Sequence, residues 1–455
     1  MQIRNPANLQ LVAEVGEDSA QTVTEKAARA RRAQPSWAAT PLEQRSTAIT
    51  RFRDLVKQRM DELALILTRE MGKPVTQSKN ELRALGPRID FFLDHTREVL
   101  SEELVHRDGE TLEEVIASEP LGVVANISAW NYPWFVGSNV FVPALLTGNT
   151  VLYKPSEHAT LTGQAIAALL HESGVPEDVF VPVIGAGAAG AALLDQPIDG
   201  LFFTGSYRTG RRIAERLSDR LIPIGLELGG KDPTYVCDDA DPAKAAESLA
   251  DGAMYNSGQS CCSVERIYVH ERIAEPFLSA FLQTVRGFAV GDPEDPGTYF
   301  GPLAREDQLA VLEAHVADAV AKGARLLLGG RRAQRPGHYF EPTVLADTRD
   351  DMLVMREESF GPIIGIASVS SDEEAVARMN DTEYGLTAGV YTPDRARAER
   401  LLRRVDAGSV YWNCCDRVSP RLPWSGRKHS GIGSTLSTHG IRAFLRPKAW
   451  HLRAG

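Results

Sequence analysis

Gly122-Val123-Val124-Ala125-Asn126-Ile127, Thr150-Val151-Leu152-Tyr153, Val179-Phe180-Val181-Pro182-Val183-Ile184 and Leu201-Phe202-Phe203-Thr204 are four short apolar runs rich in valine and phenylalanine. Between them lie helical stretches at 161–173, 187–194 and 209–217. Strand, helix, strand repeats of this length predict a parallel sheet with helices on its faces, an open α/β domain. Ligands of such sheets bind beyond the carboxyl ends of the strands, so the residues after each run are read next. They are Lys154-Pro155-Ser156-Glu157, Gly185-Ala186-Gly187 and Gly205-Ser206, all polar, glycine, alanine or proline.

Upstream, 40–100 is helical: Ile49, Phe52, Leu55 and Val56 recur at three- and four-residue steps, and Leu63, Leu65, Ile66 and Leu67 continue the pattern. Downstream, a second alternating region from 241 to about 404 follows the turn Gly229-Gly230 and is expected to form a second domain. Residues 103–116 alternate polar and apolar like a strand, and 447–453 is another short extended candidate. Neither follows the rhythm of the two domains, and such segments often pair across subunits.

The chain has 455 residues, with Lys+Arg 50 against Asp+Glu 60, a net charge of −10, and 43% apolar residues. That is globular composition, enough for two or three domains of about 100–200 residues each. The acidic balance offers no field for a phosphate backbone, and no run approaches the ~18 apolar residues needed to cross a bilayer, so neither nucleic acid nor membrane is expected as a partner. The start, Met1-Gln2-Ile3-Arg4-Asn5-Pro6, lacks the pattern of a secretory leader, and a cytoplasmic location is expected. Five cysteines occur as Cys237, Cys261-Cys262 and Cys414-Cys415. Adjacent pairs match neither a disulfide framework nor a zinc-site spacing, so reduced thiols and no metal are expected.

Three local signals bear chemistry. Asn256-Ser257-Gly258-Gln259-Ser260-Cys261-Cys262 delivers a cysteine on a glycine-containing polar turn, as an activated thiolate requires, although a loop with a buried thiol has the same sequence. Leu226-Glu227-Leu228-Gly229-Gly230-Lys231 encloses a carboxylate among leucines; desolvation would make Glu227 a base, and pairing with Lys231 would make it structural. In Trp130-Asn131-Tyr132-Pro133 the asparagine could aim an amide at a developing oxyanion or simply close a turn.

Taken in order with Glu70-Met71-Gly72-Lys73-Pro74, Lys154-Pro155-Ser156-Glu157, Phe203-Thr204-Gly205-Ser206 and Glu357-Glu358-Ser359-Phe360-Gly361-Pro362, these motifs resemble the aldehyde dehydrogenase superfamily from about residue 5 to Lys448. The closing segment, Pro420 to Gly433, is similar to the succinate-semialdehyde dehydrogenase and related branches. The resemblance implies an aldehyde dehydrogenase-like α/β fold: a Rossmann-type NAD-binding domain over 1–102 and 119–228, a catalytic domain over 229–442, and an oligomerisation arm from 103–118 and 443–455. It implies a homodimer or homotetramer that oxidises a small-molecule aldehyde to the acid.

By the same resemblance Cys261 is the nucleophile, with Cys262 its small neighbour. Asn131 and the Cys261 N–H hold the oxyanion, and Glu227 activates the deacylating water. Lys154 is placed in both the catalytic and the cofactor sets, the latter with Trp130, Ser156, Glu157, Gly185, Gly205, Ser206, Leu228, Glu358 and Phe360. Gly205 and Gly210 are spaced as in this family's phosphate turn. Glu157 would accept the ribose hydroxyls and repel a 2′-phosphate, which favours NAD over NADP.

The substrate side departs from the pattern. Relatives specific for succinate semialdehyde carry arginine eight residues after the catalytic asparagine, and Asn139 stands there. Trp134, Phe135, Tyr132 and Tyr255 suggest an aromatic-walled tunnel beside Asn139 and Cys262, with core packing the alternative for each, and Arg421 could supply a substitute charge or only hold its loop. An uncharged aldehyde is therefore expected to be preferred, with succinate semialdehyde the alternative if Arg421 replaces the anchor. An acylating enzyme would lack Glu227, a silent scaffold would lose Cys261 or Glu227, and a thiol hydrolase would need a histidine that no motif supplies.

Overall fold

The computed structural model describes residues 1–454. The four apolar runs form strands Val123–Ile127, Thr150–Lys154, Phe180–Pro182 and Gly200–Thr204, joined in parallel by helices Thr160–Glu172 and Gly187–Leu194. Helix Tyr207–Leu217 leads to a fifth parallel strand, Ile224–Glu227. Every residue of Val123–Ile127, Thr150–Lys154 and Gly200–Thr204 is buried, which is why these strands read as unbroken apolar runs. The chain steps outward from Val123–Ile127 to Phe180–Pro182, then returns to the other side at Gly200–Thr204. The order thus reverses between Val123–Ile127 and Gly200–Thr204, and the crevice above that point receives Ser128 to Asn131 from one strand and Gly205 with Ser206 from the other.

The helical region resolves into Leu42–Gln58, Met60–Met71 and Val75–Leu100, preceded by Ala20–Ala39. Gly72 ends the third in the left-handed conformation (φ 85°), and Pro74 stands before the fourth. Val75–Leu100 packs on Pro133–Leu146, the helix that begins just after Asn131 and buries all its residues but Phe135. One apolar core joins these helices to the first sheet.

Immediately beyond Gly229-Gly230, strand Asp232–Val236 starts a second sheet of seven strands, ordered Arg325–Leu328, Thr343–Ala346, Ile363–Val369, Val264–His270, Asp232–Val236, Thr387–Tyr391, Ser409–Trp412. Only Arg325–Leu328 runs antiparallel. This sheet has its own cores. Residues 229–442, expected as one domain, do not stay on it. Strand Gly431–Ile432 pairs with Ile224–Glu227 in the first sheet, and Leu436 and Ile441 bury in the first core, because the closing segment caps the edge that Glu227 occupies.

The alternating stretch 103–116 is a hairpin rather than one strand: Glu103–Asp108 turns through Gly109 (φ 54°) into Leu112–Pro120, and Leu445–Arg453 adds antiparallel beside it. Leu104, Val105, Ile116, Trp450 and Leu452 stand exposed on this three-stranded sheet. Among the described residues no helix is long and apolar enough to cross a membrane.

Candidate active site

The turn that carries the cysteines enters the central strand Val264–His270 of the second sheet. Asn256, Ser257 and Gly258 are successively left-handed (φ 54°, 54° and 71°), a costly run for two residues with side chains. Surrounding groups fix it. Gln77 Oε1 accepts the Asn256 N–H at 2.9 Å, and the Asn256 amide donates to the Gln259 and Asn131 carbonyls at 3.0 and 3.3 Å. Ser257 Oγ donates to Gly301 at 3.1 Å, and a Cβ on Gly258 would collide with the carbonyl of Gly361. Gln259 Oε1 accepts the Ala304 N–H at 3.0 Å. The glycine and glutamine of the motif are thereby accounted for by the shape of the turn.

The two cysteines have different surroundings. Cys261 is half-buried, whereas Cys262 is 4% exposed and its Sγ donates to Asp416 Oδ1 at 2.9 Å. A hydrogen bond with Cys261, burial and the Asp416 carboxylate all hold the Cys262 thiol far above its ordinary range, so it stays protonated. Among the described residues no acceptor takes the Cys261 backbone N–H. Buried Asn131 donates one amide hydrogen to the Gln259 carbonyl at 3.2 Å and keeps the other. Two donors thus remain beside the Cys261 turn.

Glu227 ends strand Ile224–Glu227, next to Gly431 in register, and accepts the Thr435 hydroxyl. Burial lifts its carboxyl to about 7, against lowering by Thr435 and Arg88. Lys231 is not its partner: that ammonium binds Glu265 at 2.6 Å and Ser359 Oγ at 3.2 Å, because the strand starting at Asp232 carries Lys231 toward the second sheet. Of the two sequence readings, the paired structural glutamate fails. The Gly229-Gly230 crossing also has a steric cause, since a Cβ on Gly230 would lie 2.7 Å from the Cys261 carbonyl and one on Gly229 would strike the Glu358 carboxylate.

Above the strand-order reversal, Lys154 is buried and its Nζ donates to the Pro155 carbonyl at 3.1 Å, 3.8 Å from Glu157 Oε2. Lys154 has no hydrogen bond to Cys261 or Glu227, and its partners are Pro155 and Glu157. Ser156 caps the short helix Glu157–Ala159, and Ser206 caps Tyr207–Leu217 by accepting the Thr209 N–H at 3.3 Å. Gly205 and Gly210 are explained by packing: a Cβ would strike Phe203 at the first and Leu228 at the second. At Gly185 (φ 145°) a Cβ would lie 2.8 Å from Ala189. The Trp130 and Phe360 rings meet edge to face at 5.4 Å. Glu358 Oε1 accepts the Gly230 N–H at 3.0 Å, and burial lifts its carboxyl to about 8. A spare ammonium donor, the open Glu157 carboxylate and the unpartnered, buried Ser128 hydroxyl at the crevice floor fit a dinucleotide.

On the other side of the Cys261 turn, Tyr132 and Phe135 stack at 6.0 Å with planes 5° apart. Lys73 Nζ lies 3.8 Å from the Tyr132 ring centre and pairs with Glu81. The Arg88 guanidinium lies 4.3 Å from the Phe135 ring centre, and its Nη1 donates to Asn139 Oδ1 at 2.7 Å. The Tyr255 hydroxyl accepts from Asn80 at 3.1 Å.

The sequence pattern of the aldehyde dehydrogenase family matches residues 1–450. The chain belongs to the aldehyde dehydrogenase family. As an aldehyde dehydrogenase it oxidises aldehydes to acids with a nicotinamide cofactor. It is similar to an NAD-dependent aldehyde dehydrogenase from Sinorhizobium meliloti, with 34% identity over 100% of this chain and 91% of that one, at a TM-score of 0.97. An NADP-dependent enzyme of E. coli shares 32% identity over 100% and 94% of the chains, TM-score 0.96. The lactaldehyde dehydrogenase of E. coli shares 31% over 100% and 96%, TM-score 0.96.

In this aldehyde dehydrogenase, Arg421 is exposed, and its side chain has no hydrogen bond or ion pair with Asn139, Tyr132 or Cys262. The premise of a tunnel without a cation also fails, since Arg88 reaches Asn139 from the facing helix. Sequence reading missed Lys73, Glu81, Arg88, Asp416 and Thr435. For Glu81 and Arg88 a signal existed: they share a helix face with Leu82, Leu85, Ile89 and Phe92, all buried, and charges there need a reason.

Proposed function

We propose that Cys261, Asn131 and Glu227 carry the oxidation. Cys261, as thiolate, attacks the aldehyde carbon, and the oxygen that gains the charge is held by the Asn131 amide and the Cys261 N–H, an arrangement in which one donor typically contributes ~10²–10³ in turnover. A bound nicotinamide would supply the acceptor for the hydride that leaves that carbon. A thioester on Cys261 remains. Glu227, ionised near neutrality and free of Lys231, removes a proton from water, which attacks the thioester; the acid leaves and the Cys261 sulfur is regenerated. The observation that carries this reading is the 3.2 Å bond from the Asn131 amide to Gln259, which ties the oxyanion donor to the cysteine turn. The test is paired substitution: Cys261→Ala abolishes oxidation and Cys262→Ala does not.

The first sheet, in this reading, holds the dinucleotide: Lys154 and Glu157 at the adenosine ribose, Ser206 toward the pyrophosphate, Glu358 at the nicotinamide ribose. A carboxylate at Glu157 supports NAD over NADP. The exposed apolar residues of the three-stranded arm support a homodimer or homotetramer, with sedimentation as a single-chain species at micromolar concentration the contrary result. Five free cysteines fit a reducing, cytoplasmic setting.

A further inference from the structure

Arg88 is 4% exposed, and among the described residues it has no ion-pair partner. The other buried cations around the site are matched. Lys73 pairs with Glu81, whose second oxygen accepts the Trp134 N–H at 2.9 Å, and Lys231 pairs with Glu265. Arg266, on the second sheet, spreads its donors over the carbonyls of Lys231, Arg378 and Met379. Arg88 has a single hydrogen bond, from Nη1 to Asn139; its Nε is buried with no partner, and Nη2 donates to nothing. Burying a charge without an opposite charge or a full set of acceptors is strongly unfavourable. Arg45, also buried without an ion pair, donates Nη1 to the carbonyls of Trp37 and Ala38, whereas Arg88 has one acceptor and lies against the residues beside the Cys261 turn.

The placement is specific. Asn139 lies eight residues beyond Asn131 and six beyond Pro133, where the helix starts, about 9 Å along its axis at 1.5 Å per residue. Phe135 lies on the same helix between them and packs against the guanidinium. Asn139 holds Nη1 and the Nε atom is enclosed, which leaves Nη2 as the donor open to an oxygen of a carboxylate. The carboxylates that act on Arg88 are Glu227 and Glu81, both close to the reacting end.

We propose that Arg88 is the anion anchor of the substrate site: positioned by Asn139, its Nη2 donor binds a carboxylate at the far end of the aldehyde, so that carboxylate-bearing aldehydes are the preferred substrate class. The position where succinate-semialdehyde-specific relatives place arginine is then occupied by the residue that orients an arginine from the facing helix. The inference rests on the assignment of Cys261 as nucleophile.

The experiment compares kcat/KM for an ω-carboxylated series, from malonate semialdehyde through succinate to glutarate semialdehyde, with that for neutral aldehydes of matching length, propanal to pentanal. The parent enzyme is expected to favour one member of the carboxylated series over its neutral counterpart. Arg88→Met should lower kcat/KM for that member at least ~100-fold more than for the neutral aldehyde, mostly through KM; the smaller loss common to both series, which follows from the Glu227 carboxyl rising without its neighbouring cation, should recover as pH is raised. Asn139→Asp keeps Arg88 and the packing but supplies an internal carboxylate; it should erase the preference while thermal stability holds or rises, and it decides the matter if Arg88→Met does not fold. Equal losses on both series in Arg88→Met, or a parent enzyme that favours the neutral series throughout, would overturn the anchor. Activity surviving in Cys261→Ala would instead overturn the site assignment, a result independent of the ratio.

Discussion

Cys262 donates its thiol hydrogen to Asp416 at 2.9 Å, one residue from the half-buried Cys261. The pair on the turn is therefore divided into a locked thiol and a presented one. Removing Cys262 leaves the half-buried Asp416 without its donor, at a cost of about 0.5–1.5 kcal/mol in stability. Cys262→Ala is thus expected to lower the melting temperature and keep turnover within ~10-fold, whereas Cys261→Ala abolishes turnover while the nicotinamide cofactor still binds. Steady-state rates and cofactor titration of both variants check this; the reverse pattern would move the nucleophile to Cys262.

The Glu227 carboxyl, lifted to about 7 by burial, is a base only when ionised. Where deacylation limits turnover, kcat should fall as pH drops through about 7, with the acidic form inactive in that step. In Glu227→Gln the inflection should vanish, leaving a flat and low profile. An inflection that persists in the variant would assign it to another group.

Glu157 lies 3.8 Å from Lys154 at the end of strand Thr150–Lys154, with its carboxylate open to solvent. A negative group there repels a 2′-phosphate, and the selectivity should shift on removing it. Glu157→Gln is expected to narrow the NAD-over-NADP ratio of kcat/KM by roughly tenfold or more, about 1.4 kcal/mol, mainly by improving KM for NADP. An unchanged ratio would place the discrimination elsewhere.

The doubly wound sheet was legible because Val123–Ile127, Thr150–Lys154 and Gly200–Thr204 are buried on both faces and so appear as plain apolar runs. The turns that carry Asn131, Glu227 and Cys261 were legible because each is a short motif whose neighbours shape it, as Gly258 and Gly230 do by steric exclusion. What escaped is non-local. Glu70, in a motif that looks chemical, spends its carboxylate on the N–H groups of Leu161 and Thr162, at 2.6 and 2.9 Å across the core. Thr435 reaches Glu227 because the closing segment crosses back to the first sheet, and Asp416 reaches Cys262 from the loop after Ser409–Trp412, across the second sheet and 154 residues along the chain. The Arg88–Asn139 bond joins two helices 51 residues apart, and no local pattern at Asn139 announces a cation beside it.

The central claim is a covalent relay between Cys261 and Glu227, and its most direct measurement is a rapid-mix experiment on Glu227→Gln with excess aldehyde and cofactor, read by NADH absorbance and by mass spectrometry of the quenched protein. The account expects about one NADH per active site, then turnover slowed by ~10²-fold or more, with an acyl group retained on the peptide containing Cys261. No burst and no acylated Cys261 peptide, in a variant that still binds the cofactor, would contradict it.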